Sequence, residues 1–160
     1  MPHFDFIADD LSGTGRLARA LAAVLPPGTV VALNGTLGAG KTKLVQEFAA
    51  ALGVPDNTVV SPTFVLIQEY TGRVAINHFD VYRIADDDEF LELGPDEYFE
   101  SSGYTFLEWA DRVKNCLPRN YVRIDIDVLG ASQRKFRISL VGPENAGLLE
   151  QLETAIADAR

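Results

Sequence analysis

Apolar and polar residues along this chain repeat with two different periods, and the switches between them outline its elements. Leu17, Leu21 and the pair Val24-Leu25 recur at helical spacing behind Ser12 and Thr14, either of which suits an N-cap, so the pattern predicts a helix of about three turns. Pro26, Pro27 and Gly28 stop it. Residues 29–34 then form a short β-branched apolar run of the kind that makes a buried parallel strand. From Lys41 onward Leu44, Phe48 and Leu52 are spaced by four, with Val45 and Ala49 beside them, which predicts an amphipathic helix ended by Gly53 and Pro55. Further strands are expected at 64–70, 74–80, 104–108, 122–128 and 135–141, and Thr71-Gly72-Arg73 is short enough to join the first two as a hairpin. The acidic stretch 86–99 is helix-prone but interrupted at Gly94-Pro95, so it reads as two short helical pieces. Leu148, Leu149, Leu152 and Ile156 make an apolar stripe that predicts a C-terminal helix lying on the sheet.

Between the first strand and the second helix lies Gly35-Thr36-Leu37-Gly38-Ala39-Gly40-Lys41-Thr42, which matches G-x-x-x-x-G-K-[ST] with the strand before it and the helix after it that the pattern requires. Such a loop turns successive backbone N–H groups inward, and the helix that follows adds the positive end of its dipole, so the oxygens of a nucleotide are bound with few cationic side chains. Gly35, Leu37, Gly38, Ala39, Gly40, Lys41, Thr42 and Lys43 are therefore the candidate phosphate contacts. Lys41 supplies a mobile charge toward the terminal phosphates, and the hydroxyl of Thr42 can enter the octahedral shell of Mg²⁺. With no internal repeats and no low-complexity linker, the expectation is an α/β chain: one P-loop NTPase domain over residues 1–160, its sheet mixed, mainly parallel and flanked by helices.

A nucleotide-bound Mg²⁺ calls for one or two carboxylates from strand ends near the loop. Asp80 and Glu108 both close apolar runs and are the candidates, whereas Asp127 alternates with Ile124 and Ile126 as a solvent-facing strand residue would. His78 reads as a satisfied core histidine rather than a base. Trp109, the single tryptophan, follows Glu108 directly and should report on the site. Ser61 and Thr63, in Ser61-Pro62-Thr63, are small hydroxyls placed where a nucleotide-sensitive switch could touch the γ-phosphate, or where an ordinary turn would stand.

Net charge narrows the partners. Twenty-three acids against 14 bases leave the chain at −9, a surface that on average repels nucleic acid. A lone cysteine, Cys116, cannot form an internal disulfide, and reads as a small buried apolar residue. The first ten residues carry three acids and no basic leader, and no apolar run approaches the roughly 20 residues that span a bilayer, so a cytoplasmic chain without membrane attachment is expected.

Taken together, the phosphate loop, Ser61-Pro62-Thr63-Phe64, His78-Phe79-Asp80-Val81-Tyr82-Arg83 and Leu107-Glu108-Trp109 resemble, in order and spacing, the TsaE (YjeE) family of bacterial ATPases, from the first helix to about Val141. The resemblance implies a weak ATPase, using ATP/ADP and Mg²⁺, that serves formation of N6-threonylcarbamoyladenosine in tRNA. It further implies action with TsaB and TsaD, contact with tRNA only through those partners, and hydrolysis that resets the complex rather than modifying the base. By the same resemblance Lys41 and Thr42 hold phosphate and Mg²⁺, Glu108 is the Walker-B-like acid, Asp80 is a second essential acid, and Ser61 and Thr63 belong to a switch. Thr36 departs from the family, whose members often carry Asp after the first loop glycine.

Two rival readings share the loop. A small-molecule kinase needs mobile arginines over the transferred phosphoryl group, and the arginines here are scattered. A nucleotide-controlled interaction switch with little turnover needs only the binding half of the site.

Overall fold

A computed structural model of the chain describes residues 2–55, 58–59, 67–143 and 147–158. Among these residues seven strands form one sheet in the order β1-β7-β6-β2-β5-β4-β3. The strands are β1 (His3–Ala8), β2 (Val30–Gly35), β3 (Ile67–Thr71), β4 (Ala75–Asp80), β5 (Tyr104–Glu108), β6 (Tyr121–Val128) and β7 (Arg134–Val141). The centre is parallel: β2 pairs with β5 and β6, and β4 pairs with β5. The flanks are antiparallel, with β1 on β7, β7 on β6 and β3 on β4. This is the mixed α/β architecture expected from the sequence.

Helices cover both faces. On one face α1 (Leu11–Val24), α2 (Lys41–Ala51) and α5 (Leu148–Asp158) pack against inward residues such as Leu33, Phe106, Ile124 and Ile138. On the other, α3 (Asp87–Leu91), α4 (Pro95–Phe99) and a 3₁₀ segment (Ala110–Cys116) enclose Val30, Ala32, Phe79 and Leu107. The interruption at Gly94-Pro95 does split the acidic stretch: Gly94 takes φ +68° and Pro95 opens α4, where its missing N–H has no intrahelical partner to lose.

Several features differ from the sequence reading: most strand bounds shift by a residue or more, and the 3₁₀ segment is not among the expected elements. The cap of α1 is Asp10, whose carboxylate accepts the N–H groups of Ser12 (3.0 Å) and Gly13 (3.2 Å), so neither Ser12 nor Thr14 plays that part. An additional strand, β1, precedes α1, with Phe6 and Ala8 turned inward and Asp5 paired outward to Arg137. Cys116 is only partly buried, at the rim of the smaller core. The hairpin through Thr71 is present, with Thr71 opposite Ala75. Residues 64–66, Ser61 and Thr63 lie outside the described residues.

Phe48 of α2 meets Tyr104 and Phe106 of β5 edge-on, with ring centroids 4.9 Å and 4.8 Å away. All three rings are buried, and such contacts add about 1 kcal/mol each beyond area burial. They lock α2 over β5, and so set where the first residue pair of α2 meets the end of that strand. No helix among the described residues is long and apolar enough to cross a membrane.

Candidate functional site

Between β2 and α2 the chain makes the loop that the motif requires. Gly38 and Gly40 adopt φ of +79° and +110°, and no atom lies within 4 Å of where a Cβ would stand at either. Glycine is required there by the backbone turn, and the space around the turn is open. The first intrahelical bond of α2 runs from Leu44 N–H to Gly40 O (3.0 Å), so by helix geometry the N–H groups of Lys41, Thr42 and Lys43 have no partner within the helix. This is the donor arrangement that binds anions. Leu37 at the loop tip is 86% exposed and Ala39 is buried, so what either offers an anion is its backbone.

Lys41 is 5% exposed, yet its ammonium is fully engaged inside the loop. Nζ donates to Gly35 O (2.7 Å) and Thr36 O (3.0 Å) and sits 4.0 Å from the centre of the Trp109 ring. Burial pushes its pKa down, against the pull of Glu108 and Asp80. Lys43 points elsewhere: its ammonium pairs with Glu47 one turn along α2 (3.0 Å), leaving only its backbone N–H to the loop.

The strand ends supply the acids. Side chains alternate along β5, so Glu108 falls on the α2 face together with Tyr104 and Phe106. Thr42 Oγ donates to its carboxylate, 2.8 Å from Oε2 and 3.0 Å from Oε1. Two cis oxygens of an octahedron with Mg²⁺–O bonds of ~2.1 Å stand about 3.0 Å apart, so this hydroxyl and carboxylate fit a shared Mg²⁺. Asp80 is level with Glu108 on the adjacent parallel strand β4 and 9% exposed, with Oδ1 accepting Tyr82 N–H at 2.9 Å. Burial raises its carboxyl above the usual range, and nearby Glu108 raises it further.

His78 is fully buried, as a core histidine should be, but it belongs to the same cluster. Its Nε2 is 2.6 Å from Glu108 Oε2, and its Nδ1 is 3.2 Å from the hydroxyl of Tyr70. The sequence carried the signal: His78 and Asp80 alternate along β4, so both fall on one face, Asp80 level with Glu108 and His78 in contact with it.

Trp109 ends β5 in the left-handed region, with φ +64°, and its N–H donates to Leu33 O (3.0 Å). That turn lays the indole over Lys41 and 4.8 Å from the Tyr82 ring, while the Arg112 guanidinium lies 5.0 Å from the centre of that ring. Arg134, not singled out by the sequence, braces the loop by donating from Nε to Ala39 O (3.1 Å). Beside the loop opens a cleft of about 860 Å³ lined by Asn34, Thr36, Trp109, Arg112 and Asp125 among others. Asp127 also lines this cleft and is exposed, the solvent-facing place its alternation predicted.

The geometry has counterparts. The family model described as Threonylcarbamoyl adenosine biosynthesis protein TsaE matches residues 8–136. The chain is similar to the tRNA threonylcarbamoyladenosine biosynthesis protein TsaE of Bacillus subtilis (strain 168), 40% identical over 140 residues that cover 87% of each chain. It is similar to the protein of that name from Treponema pallidum, 36% identical over 126 residues, 79% of this chain and 93% of the relative. Among solved structures it resembles the crystal structure of Bacillus subtilis YdiB, with a TM-score of 0.79 and 32% identity, over 96% of this chain and 95% of that one.

Proposed function

The chain belongs to the TsaE family, and from that premise we propose that it is the ATP-binding and ATP-hydrolysing member of the tRNA threonylcarbamoyladenosine machinery, working with Mg²⁺ and with TsaB and TsaD in the cytoplasm. The observation that carries the reading is the meeting of Thr42 with Glu108, 66 residues apart in sequence, at the mouth of a loop whose lysine is already turned inward. A glycine-rich turn that merely linked a strand to a helix would need neither the buried acid nor the buried ammonium.

In this proposal Lys41 leaves the carbonyl oxygens of Gly35 and Thr36 for the β- and γ-phosphate oxygens of ATP. The backbone N–H groups at the start of α2 take the remaining phosphate oxygens. Thr42 and Glu108 hold Mg²⁺, and Asp80 adds a second negative charge one strand away. Bound Mg²⁺ supplies Lewis-acid compensation for charge developing on the transferred phosphoryl group. Trp109 keeps water away from the ammonium on its outer side.

A net charge of −9 supports a chain that reaches tRNA through its partners rather than by itself. The role in modification is then one of resetting: hydrolysis alters how this chain sits on TsaB and TsaD between rounds. The test is hydrolysis of ATP, single and multiple turnover, by the chain alone and with TsaB and TsaD, alongside repeated formation of the modified nucleoside. Partner-stimulated hydrolysis with release of inorganic phosphate is expected. Nucleotide binding with no phosphate released in the full system would reduce the chain to a switch, and phosphate transferred to a small acceptor would make it a kinase.

A further inference from the structure

His78, buried on β4 two residues before Asp80, has no part in the reaction described above. Its imidazole is held at both nitrogens by side chains. Nε2 meets Glu108 Oε2, the same oxygen that takes the Thr42 hydroxyl, and Nδ1 meets the Tyr70 hydroxyl, which is itself bonded to Gln68. The hairpin register brings this about: Gln68 stands opposite His78, and Tyr70 opposite Ile76. An unbroken line of side-chain bonds therefore runs from α2 through β5 and β4 to β3.

We propose that His78 is a positioning residue that fixes the orientation of the Glu108 carboxylate through the bond from its Nε2–H to Oε2, so that the remaining lone pairs of Glu108 face the loop. A carboxylate offers about four acceptor positions; Oε2 takes His78 and the shorter Thr42 contact (2.8 Å), and Oε1 only the longer Thr42 contact (3.0 Å), which leaves Oε1 the less committed edge. Without His78 the acid would sit at 3% exposure with that side unsatisfied, free to rotate about its last torsion or to seek another donor. Hydrogen-bond partners of ligating carboxylates have this effect in general: their loss weakens metal binding without removing a ligand. The inference rests on Glu108 being the acid at Mg²⁺, and the experiment separates the two claims.

Mg²⁺ is titrated into the ADP-loaded protein, by calorimetry and by Trp109 emission, for the parent, His78→Asn, His78→Gln, Glu108→Gln and the double variant His78→Asn with Glu108→Gln. ADP affinity is measured separately in EDTA. His78→Asn keeps a polar group on the Tyr70 side and loses the one that reaches Glu108, so its Mg²⁺ half-saturation should rise about tenfold, with ADP affinity in EDTA held within about twofold. His78→Gln, whose longer amide can place an N–H near the position of Nε2, should recover most of that loss. In the Glu108→Gln background, His78→Asn should add nothing, because its effect passes through the carboxylate.

Equal losses for Asn and Gln, a matching loss of ADP affinity in EDTA, or independent additive effects in the double variant would each overturn the positioning role. If circular dichroism shows His78→Asn unfolded, His78→Gln decides: near-parental Mg²⁺ half-saturation supports the role, and a tenfold loss defeats it. A Glu108→Gln titration identical to the parent defeats the metal reading itself. A shifted Glu108→Gln beside an unshifted His78→Asn defeats only the inference about His78.

Discussion

Asp80 and Glu108 stand level with one another on neighbouring parallel strands, two buried carboxylates a single strand spacing apart. Burial, and then the neighbouring charge of Glu108, hold the proton of Asp80 more tightly than in the unfolded chain.

A folded-state pKa above the ordinary 3.8 means that Asp80 contributes fully to stability only below that value, and that the contribution is lost as pH rises through the folded pKa. Asp80→Asn keeps an oxygen for the Tyr82 N–H and removes the charge. In EDTA at neutral pH it should raise Tm by a few degrees, with the gain shrinking toward zero as pH falls below 3.8, while partner-stimulated hydrolysis drops. Thermal melts across that pH range check the first part; a variant less stable than the parent at neutral pH would contradict it.

Removing the metal-side charge while keeping the shape should affect turnover more than affinity. Glu108→Gln is expected to lower kcat at least about tenfold and to blunt its Mg²⁺ dependence, with nucleotide binding in EDTA little changed. Asp127→Asn, on the exposed rim of the cleft, should match the parent. Steady-state assays with TsaB and TsaD decide, and the reverse ranking would move the metal site to β6.

Lys41→Ala deletes a charge whose contacts are loop carbonyls and an indole, so the core is left intact. A hydrogen bond from a charged group is worth about 1.5–3 kcal/mol, so ATP and ADP should bind roughly 10- to 100-fold more weakly while circular dichroism stays parental. Calorimetric affinities equal to the parent's would remove the phosphate assignment.

Gly40→Ala forces an L side chain to φ +110°, where nothing crowds it but the backbone itself is unfavourable. Destabilisation of at least about 1–2 kcal/mol is expected if the turn is kept. If instead the turn relaxes, Tm is spared and nucleotide binding is lost, because the N–H groups no longer converge. A variant parental in both stability and ADP affinity would show that the loop does not use this conformation.

The loop and both acids were legible in the sequence because they sit at the junctions between elements, where glycine, strand ends and a helix start leave distinct local signals. The place of His78 was only half legible. Alternation along β4 put it on the face of Asp80, but which helix that face meets, and that β5 presents Glu108 to the same side, are matters of register between strands far apart in the chain. Strand β1 was obscured by its exposed Ile7 and by Asp5, an outward acid whose partner Arg137 lies on β7. Nothing in the residue type announces the left-handed turn at Trp109, since tryptophan rarely adopts it; tertiary packing over Lys41 and Tyr82 imposes it. Asp10 outcompeted Ser12 as a cap because its carboxylate reaches two N–H groups at once.

Lys41 has consequences beyond affinity. Because its ammonium already holds two carbonyl oxygens and an aromatic face, and Thr42 already holds Glu108, a nucleotide bound as proposed would exchange existing hydrogen bonds for new ones instead of satisfying vacant groups. The net gain would be correspondingly modest, and a departing nucleotide would leave behind a loop able to close on itself at once. Under the proposed function such a site would discharge its product without waiting for water to rehydrate a buried charge, as a cycle of binding and release requires.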